Sequence, residues 1–328
     1  MSEMRWHPLL GEWVITATHR QDRTFLPPAG YCPLCPTAEG GFPTEVPRPD
    51  YDFVVFENKF PSLKREPGEP AIVGTALCPV KPASGACEVI LYSAKHDATL
   101  TDLPPNKLVE LIRVWRHRYN TLAAREDIKY VFIFENKGEA VGVTIHHPHG
   151  QIYAFSELPP MIERELKNER EHMEKCGKCI HCEIIAEEKT SKERLVAENA
   201  NFIAFVPFYA RYPYELHLYS KHHRAAINEF SKQEDLDLAE ILHVVLKKFD
   251  GLWKVSLPYI MVMHQRPTDD QDYPGSHFHI EFYPPLRTPQ KRKYLAGVES
   301  GAGTYINDTH PEVTSQELRN VLPHLEQI

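Results

Sequence analysis

The chain lacks several features that would each have named a class of protein. No apolar run approaches the ~20 residues that a membrane-spanning helix needs, and the opening stretch Met1–Trp6 lacks the charged-then-apolar layout of a signal peptide. The default compartment is therefore the cytoplasm. Basic charge is in deficit: the net charge is −8 over 328 residues, which argues against a nucleic-acid partner or an anionic membrane surface. An anionic small molecule stays admissible, because a few arginines and backbone N–H groups suffice for a local anion site. A disulfide framework is also missing. The seven cysteines are odd in number, and five of them, Cys32, Cys35, Cys176, Cys179 and Cys182, fall in two tight clusters that read better as metal ligands.

The chain does contain a two-fold repeat. Residues 106–127 read as an amphipathic helix with Leu108, Leu111, Ile112, Trp115, Tyr119 and Leu122 on one face. Adding 130 to each number gives Leu238, Ile241, Leu242, Val245, Phe249 and Leu252, on a second helix opened by the capping box Ser231-x-x-Glu234. The flanks repeat as well. A strand ending at His96 precedes the first helix, and one ending near His223 precedes the second. A strand and then His147-Pro148-His149 follow the first; a strand and then His277-Phe278-His279 follow the second. Cys32-x-x-Cys35 upstream is echoed by Cys179-x-x-Cys182. A parallel α/β sheet could show this alternation, but the hairpin-like strand spacing favours an antiparallel sheet with a packed helix. The expected fold class is α+β: two fused halves, 1–170 and 171–328, each an antiparallel sheet with packed helices, divided where Pro159-Pro160 opens a charged helical stretch.

Side chains alternate along a strand, so His147, His149 and Gln151 share a face. Pro148 has no N–H to offer a ladder, which predicts an edge or a bulge. Gly150 removes a side chain where a substrate phosphate could come close. The two imidazoles can divide their labour: one ligates a metal, and the other, neutral and held in one tautomer through its second ring nitrogen, reacts. Gln151 can donate an amide N–H to a phosphoryl oxygen.

Cys32-x-x-Cys35 has zinc-knuckle spacing, and His96 and His147 are the residues that would close a tetrahedral Cys₂His₂ site, structural rather than catalytic. A redox dithiol or plain core cysteines are the alternatives. The same four places in the second half hold Cys179, Cys182, His223 and His277, which predicts a second zinc, with Cys176 and His181 as competing ligands or with the site a relic without an ion.

His147-Pro148-His149-Gly150-Gln151, Phe134-Glu135-Asn136-Lys137-Gly138, Glu57-Asn58-Lys59 and Phe282-Tyr283-Pro284-Pro285 together resemble the galactose-1-phosphate uridylyltransferase family, two fused histidine-triad-like halves of the histidine-triad superfamily. The resemblance covers nearly the whole chain, beginning at Arg5. It implies that His149 attacks the α-phosphorus of UDP-glucose, that a uridylyl-histidine forms, and that galactose 1-phosphate then takes the uridylyl group. It implies that Gln151 holds the phosphoryl oxygens. Asn58, Lys59, Asn136 and Gly142, Val143 and Thr144 would meet the nucleotide, with Arg20 and Arg23 near the UDP group. Lys293, Tyr294, Val298 and Glu299 would reach the sugar from the neighbouring subunit of a homodimer. The family's second metal, commonly iron, is held by one glutamate and three histidines. The matching places here are Glu165, His264, His279 and Glu281, one histidine being replaced by a glutamate. This set, suited to iron or zinc, rivals the cysteine quartet as the second site, and the quartet is preferred because thiolates select zinc more firmly. A nucleotide-sugar phosphorylase of the ADP-glucose type would use the same His149, and a zinc-scaffolded binding module would use none of this chemistry.

Overall fold

The two stripes predicted from periodicity are both buried against one hydrophobic core. All six residues of the first stripe are buried on α1 (Pro105–Ala123), and five of the six on α4 (Lys232–Leu252); Leu252 is half-buried at the end of α4. Pro105 occupies the first turn of α1, where a missing N–H costs nothing. Ser231 Oγ accepts from the Glu234 amide at 3.2 Å and the Glu234 carboxylate accepts from the Ser231 amide at 2.7 Å, completing the capping box on α4. The two helices also share a charge pair, with both Asp235 oxygens accepting from Arg116. The computed structural model describes residues 2–22, 27 and 30–322.

The strands are β1 (Ser2–His7), β2 (Glu12–Ala17), β3 (Val54–Glu57), β4 (Val80–Pro82), β5 (Gly85–Leu91), β6 (Tyr130–Lys137) and β7 (His149–Phe155) in the first half. In the second they are β8 (Leu195–Glu198), β9 (Phe202–Phe205), β10 (Leu216–Ser220), β11 (Tyr259–His264), β12 (His279–Tyr283), β13 (Leu286–Thr288) and β14 (Lys291–Arg292). Two further helices, α2 (Pro160–Cys176) and α3 (Ile180–Ser191), join the halves; α5 (Gly297–Ala302) and α6 (Pro311–Asn320) close the chain.

The fold is α+β with antiparallel pairing, and the halves share one sheet. Nine strands run in the order β3-β5-β7-β6-β11-β12-β10-β9-β8. The halves meet where β6 pairs antiparallel with β11, Tyr259 opposite Lys137 and Val262 opposite Phe134. One face carries Val131, Ile133, Ile152, Ala154, Met261, Met263, Ile280 and Phe282 onto α1 and α4. By alternation, the other face carries His149, Gln151, Phe134, His264, His279 and Glu281.

The expectation of an edge strand at Pro148 is corrected. β7 lies between β5 and β6 in the sheet interior. The ladder begins at His149, so Pro148 falls just outside it and serves only as an acceptor, its carbonyl taking the Tyr92 amide at 3.2 Å. The expectation for Gly150 is corrected too: a Cβ there would lie 1.9 Å from the Tyr92 hydroxyl. The missing side chain makes room for a buried tyrosine rather than for a phosphate.

Candidate active site and metal centres

In the middle of the sheet, β7 places His149 opposite Leu91 of β5, and Gln151 opposite Val89 of β5 and Phe134 of β6. Asn136 follows Phe134 by two residues and so shares its face. His149 Nδ1 donates to the His147 carbonyl at 2.7 Å. A carbonyl only accepts, so Nδ1 carries the proton and the lone pair of the neutral ring is on Nε2. The cleft at this strand end has a volume of about 290 Å³, and Asn136, Val143, His146, His149 and Ser256 are among its lining residues. His146 also borders a second hollow of about 740 Å³ beside Tyr31, Phe42 and His96.

Behind His149, Cys32, Cys35, His96 and His147 place their ligand atoms within 4.8 Å of one another. The Cys35 sulfur is 3.5 Å from Nδ1 of both His96 and His147. His147 Nε2 donates to the Ser93 carbonyl at 2.8 Å and lies 2.6 Å from the Tyr51 hydroxyl. This outer bond protonates Nε2 and leaves Nδ1 as the ligand atom. Burial, helped by the neighbouring His96 and His149, lowers the His147 pKa to about 4, so the ring is neutral as a ligand must be. Burial, together with the paired Cys32, pushes the Cys35 thiol up to about 12. Two sulfurs and two inward-facing imidazole nitrogens suit a tetrahedral zinc.

The second half repeats the device. Cys179, Cys182, His223 and His277 converge in the same way. The Cys182 sulfur is 3.6 Å from Nδ1 of both His223 and His277. His277 Nε2 donates to the Ser220 carbonyl at 2.8 Å, and burial lowers its pKa to about 3. His279 Nδ1 donates to the His277 carbonyl at 2.9 Å, as His149 does to His147. The convergent quartet does not include His181, which is bound to Glu169 at 2.8 Å, or Cys176, which is exposed.

A third group, Glu165, His264 and His279, forms beside the second quartet. His264 Nδ1 is 2.7 Å from Glu165, and Glu281 Oε1 is 3.6 Å from His279 Nε2. Burial opposes a charge on His264, but Glu165 and Glu281 outweigh it and raise its pKa to about 9. The set read as a rival to the second quartet therefore stands next to it, and His279, following His277 by two residues, ties one to the other. The pseudo-equivalent of His149 is fully enclosed, with the Tyr219 ring stacked on it at 4.7 Å.

The remaining expected residues divide. Arg20 donates to the Phe60 carbonyl at 3.0 Å and to the Tyr153 hydroxyl at 3.3 Å. Asn58 accepts from the Phe60 amide at 2.9 Å, and Lys59 forms an exposed pair with Glu45. Gly142 adopts the left-handed conformation, φ 84°, and of residues 142–144 Val143 lines the cleft. Arg23 lies outside the described residues. Lys293 and Glu299 spend their side chains on each other at 3.1 Å, and Lys293 also binds the Ile306 carbonyl. They brace an arm whose Tyr294 and Val298 are exposed, and no arm residue lines the His149 cleft of its own chain. Sequence reading missed Tyr51, Ser93 and Ser220. The two serines could have been found, since Tyr92-Ser93 and Tyr219-Ser220 repeat; Tyr51 has no counterpart and no local signal.

Two family models match the chain end to end: galactose-1-phosphate uridyl transferase, N-terminal domain, over residues 1–159, and its C-terminal domain over residues 165–327. The chain belongs to the galactose-1-phosphate uridylyltransferase family. A galactose-1-phosphate uridylyltransferase of Thermotoga maritima is 41% identical over 97% of this chain and 98% of its own length. One from Haemophilus influenzae is 33% identical over 96% and 93%. Among solved structures, a uridylyltransferase aligns with TM-score 0.86 at 33% identity over 98% of this chain and 99% of its own. An ADP-glucose phosphorylase from Arabidopsis thaliana, with bound ADP-glucose, aligns with TM-score 0.73 at 25% identity over 98% and 99%. The family is one of nucleotidyltransferases, and this membership replaces the reading as a non-enzymatic scaffold.

Proposed function

We propose that the protein exchanges a uridylyl group between UDP-glucose and galactose 1-phosphate by double displacement on His149. The observation that carries the reading is the bond from His149 Nδ1 to the His147 carbonyl. It aims the Nε2 lone pair outward from a backbone held by the first quartet. Nε2 attacks the α-phosphorus; the P–N bond forms, the bond to the glucose 1-phosphate oxygen breaks, and that phosphate leaves with the electron pair. Galactose 1-phosphate attacks the same phosphorus and returns the pair to Nε2. Nδ1 keeps its proton, donated to the His147 carbonyl, in both steps, so no separate base is required. Gln151, on the same face as His149, donates its amide to the phosphoryl oxygens as charge develops. Asn136, Asn58, the 142–144 loop, Arg20 and Arg23 hold the nucleotide.

Cys32, Cys35, His96 and His147, and likewise Cys179, Cys182, His223 and His277, would each hold a zinc ion, which would stiffen the strand ends behind His149 and His279. Glu165, His264, His279 and Glu281 form a carboxylate–imidazole set able to hold iron or a further zinc. The arm bearing Tyr294 and Val298 is available to a neighbouring subunit in a homodimer.

Intact-mass analysis after incubation with UDP-glucose tests the reaction. The expected product is a single uridylyl adduct on His149, absent from His149→Ala, which keeps its fold. No adduct on the wild type would remove the reading. Substituting ADP-glucose with phosphate as acceptor tests the phosphorylase branch, to which the ADP-glucose complex directs attention; the higher identity to the uridylyltransferases favours UDP-glucose. Metal analysis of the same preparation should return about two zinc ions per chain.

A further inference from the structure

The cleft around His149 has walls of different origin. Asn136, Lys137 and Gly138 come from the end of β6, whereas Ser256 comes from the stretch 253–258 that joins α4 to β11 in the other half. One carboxylate spans the two. Asp250, in the last turn of α4, accepts from Lys137 Nζ through both oxygens, at 2.7 and 3.0 Å. Its Oδ1 also accepts from the Leu257 amide at 2.8 Å. The Lys137 side chain is only 7% exposed, and its charge lies close to the helix C-terminus, where a cation is favoured. One residue further along, Gly138 has φ 91°, and a Cβ there would come within 2.8 Å of Pro258. The end of β6 is thus seated on the second half at two consecutive residues.

Alternation gives this seat a consequence for the cleft. Lys137 points to the helix side of the sheet and Asn136 to the side that carries His149. Anchoring Lys137 sets the rotation of the strand end, and with it the direction of Asn136 and the start of the 138–144 loop. The same carboxylate holds the 253–258 stretch through Leu257.

We propose that Asp250 is a positioning residue for the nucleotide sugar: it fixes both walls of the His149 cleft as one body without touching the substrate. The proposal rests on the uridylyl-transfer reading. In ordinary terms, the second half supplies the rigid back of the first half's site.

The test is single-turnover uridylylation of the full-length protein across a range of UDP-glucose concentrations, with thermal melting in parallel. Asp250→Asn keeps an oxygen for the Leu257 amide and loses the charge pair. The expected result is a rise of about tenfold in the half-saturating UDP-glucose concentration, with the limiting rate changed less than about threefold. A lower melting temperature with unchanged half-saturation would assign Asp250 to stability alone and overturn the proposal. Should Asp250→Asn not fold, Lys137→Met is measured by the same criterion, because it breaks the same pair from the other side. Wild-type protein that forms no adduct at any concentration would instead remove the reaction reading, an outcome distinct from either.

Discussion

Glu135 is the residue whose environment differs most from what its position in the sequence suggests. It stands between Phe134 and Asn136, yet its side chain points to the buried side of the sheet, 4% exposed. Oε1 accepts from the Tyr259 hydroxyl at 3.4 Å, while Oε2 has no hydrogen-bond partner among the described residues. Burial pushes its pKa from 4.5 to about 8, against the opposing pull of Lys137. The folded state therefore keeps a proton that the unfolded chain releases. Stability from this group is full at low pH, declines as pH rises from 4.5 to about 8, and is level above that. Glu135→Gln should remove the decline. Its melting temperature, equal to the wild type near about pH 4, should exceed it by a margin that grows up to about pH 8. A margin that does not change with pH would show that Glu135 is ionised in the fold. Much of the site could be read at this scale: the division between His147, grouped with the two cysteines, and His149, at the cleft, follows from their spacing and the cysteine motif. Glu135, Tyr51 and the inward turn of Lys293 could not, because a side chain's surroundings are assembled from distant segments.

At the scale of elements, periodicity and caps carried the most information. The six-residue stripe on α1 and its match on α4 predicted both helices, and the Ser231 capping box located the start of the second. Periodicity alone does not single out α6, a ten-residue helix docked through the buried Leu318 and through several polar contacts, among them Arg194 with Glu312, Tyr214 with Glu317 and Lys248 with the helix end. Lys248 of α4 is fully buried and donates to the carbonyls of Leu318, Arg319 and Val321 at 3.4, 3.0 and 2.7 Å. They lie at the C-terminal end of α6, where the last carbonyls run out of helical partners; the Leu318 carbonyl also accepts from the Val321 amide at 3.2 Å. Lys248→Met should deprive the Arg319 and Val321 carbonyls of this donor and lower stability by about 1–3 kcal/mol in urea denaturation. A variant as stable as the wild type would mean that the carbonyls find water instead. Local patterning could not announce this lysine, which reads as one more charge on a helix.

For the molecule as a whole, the repeat foretold two similar halves, and the structure adds that they are continuous. Register between β6 and β11 is set by Lys137, Asp250 and Pro258, residues far apart in sequence, so nothing short-range in the chain signals it. The Arg116–Asp235 pair joins the helix layers across the same seam. Unfolding should accordingly appear in calorimetry as a single endotherm, with calorimetric and van't Hoff enthalpies in agreement. Two resolved transitions would mean that the seam is weaker than either half.

The shared sheet also bears on how the protein behaves when concentrated. Two free-standing sheets would present four unpaired margins, each a template on which another chain could add a strand. Fusing them leaves two, β3 and β8, each four residues long. Both stop at a glutamate, Glu57 and Glu198, so an incoming strand would find little length to grip and a negative charge at the limit of it. Joining the halves thus closes two of the four margins at which polymers of this protein could otherwise begin.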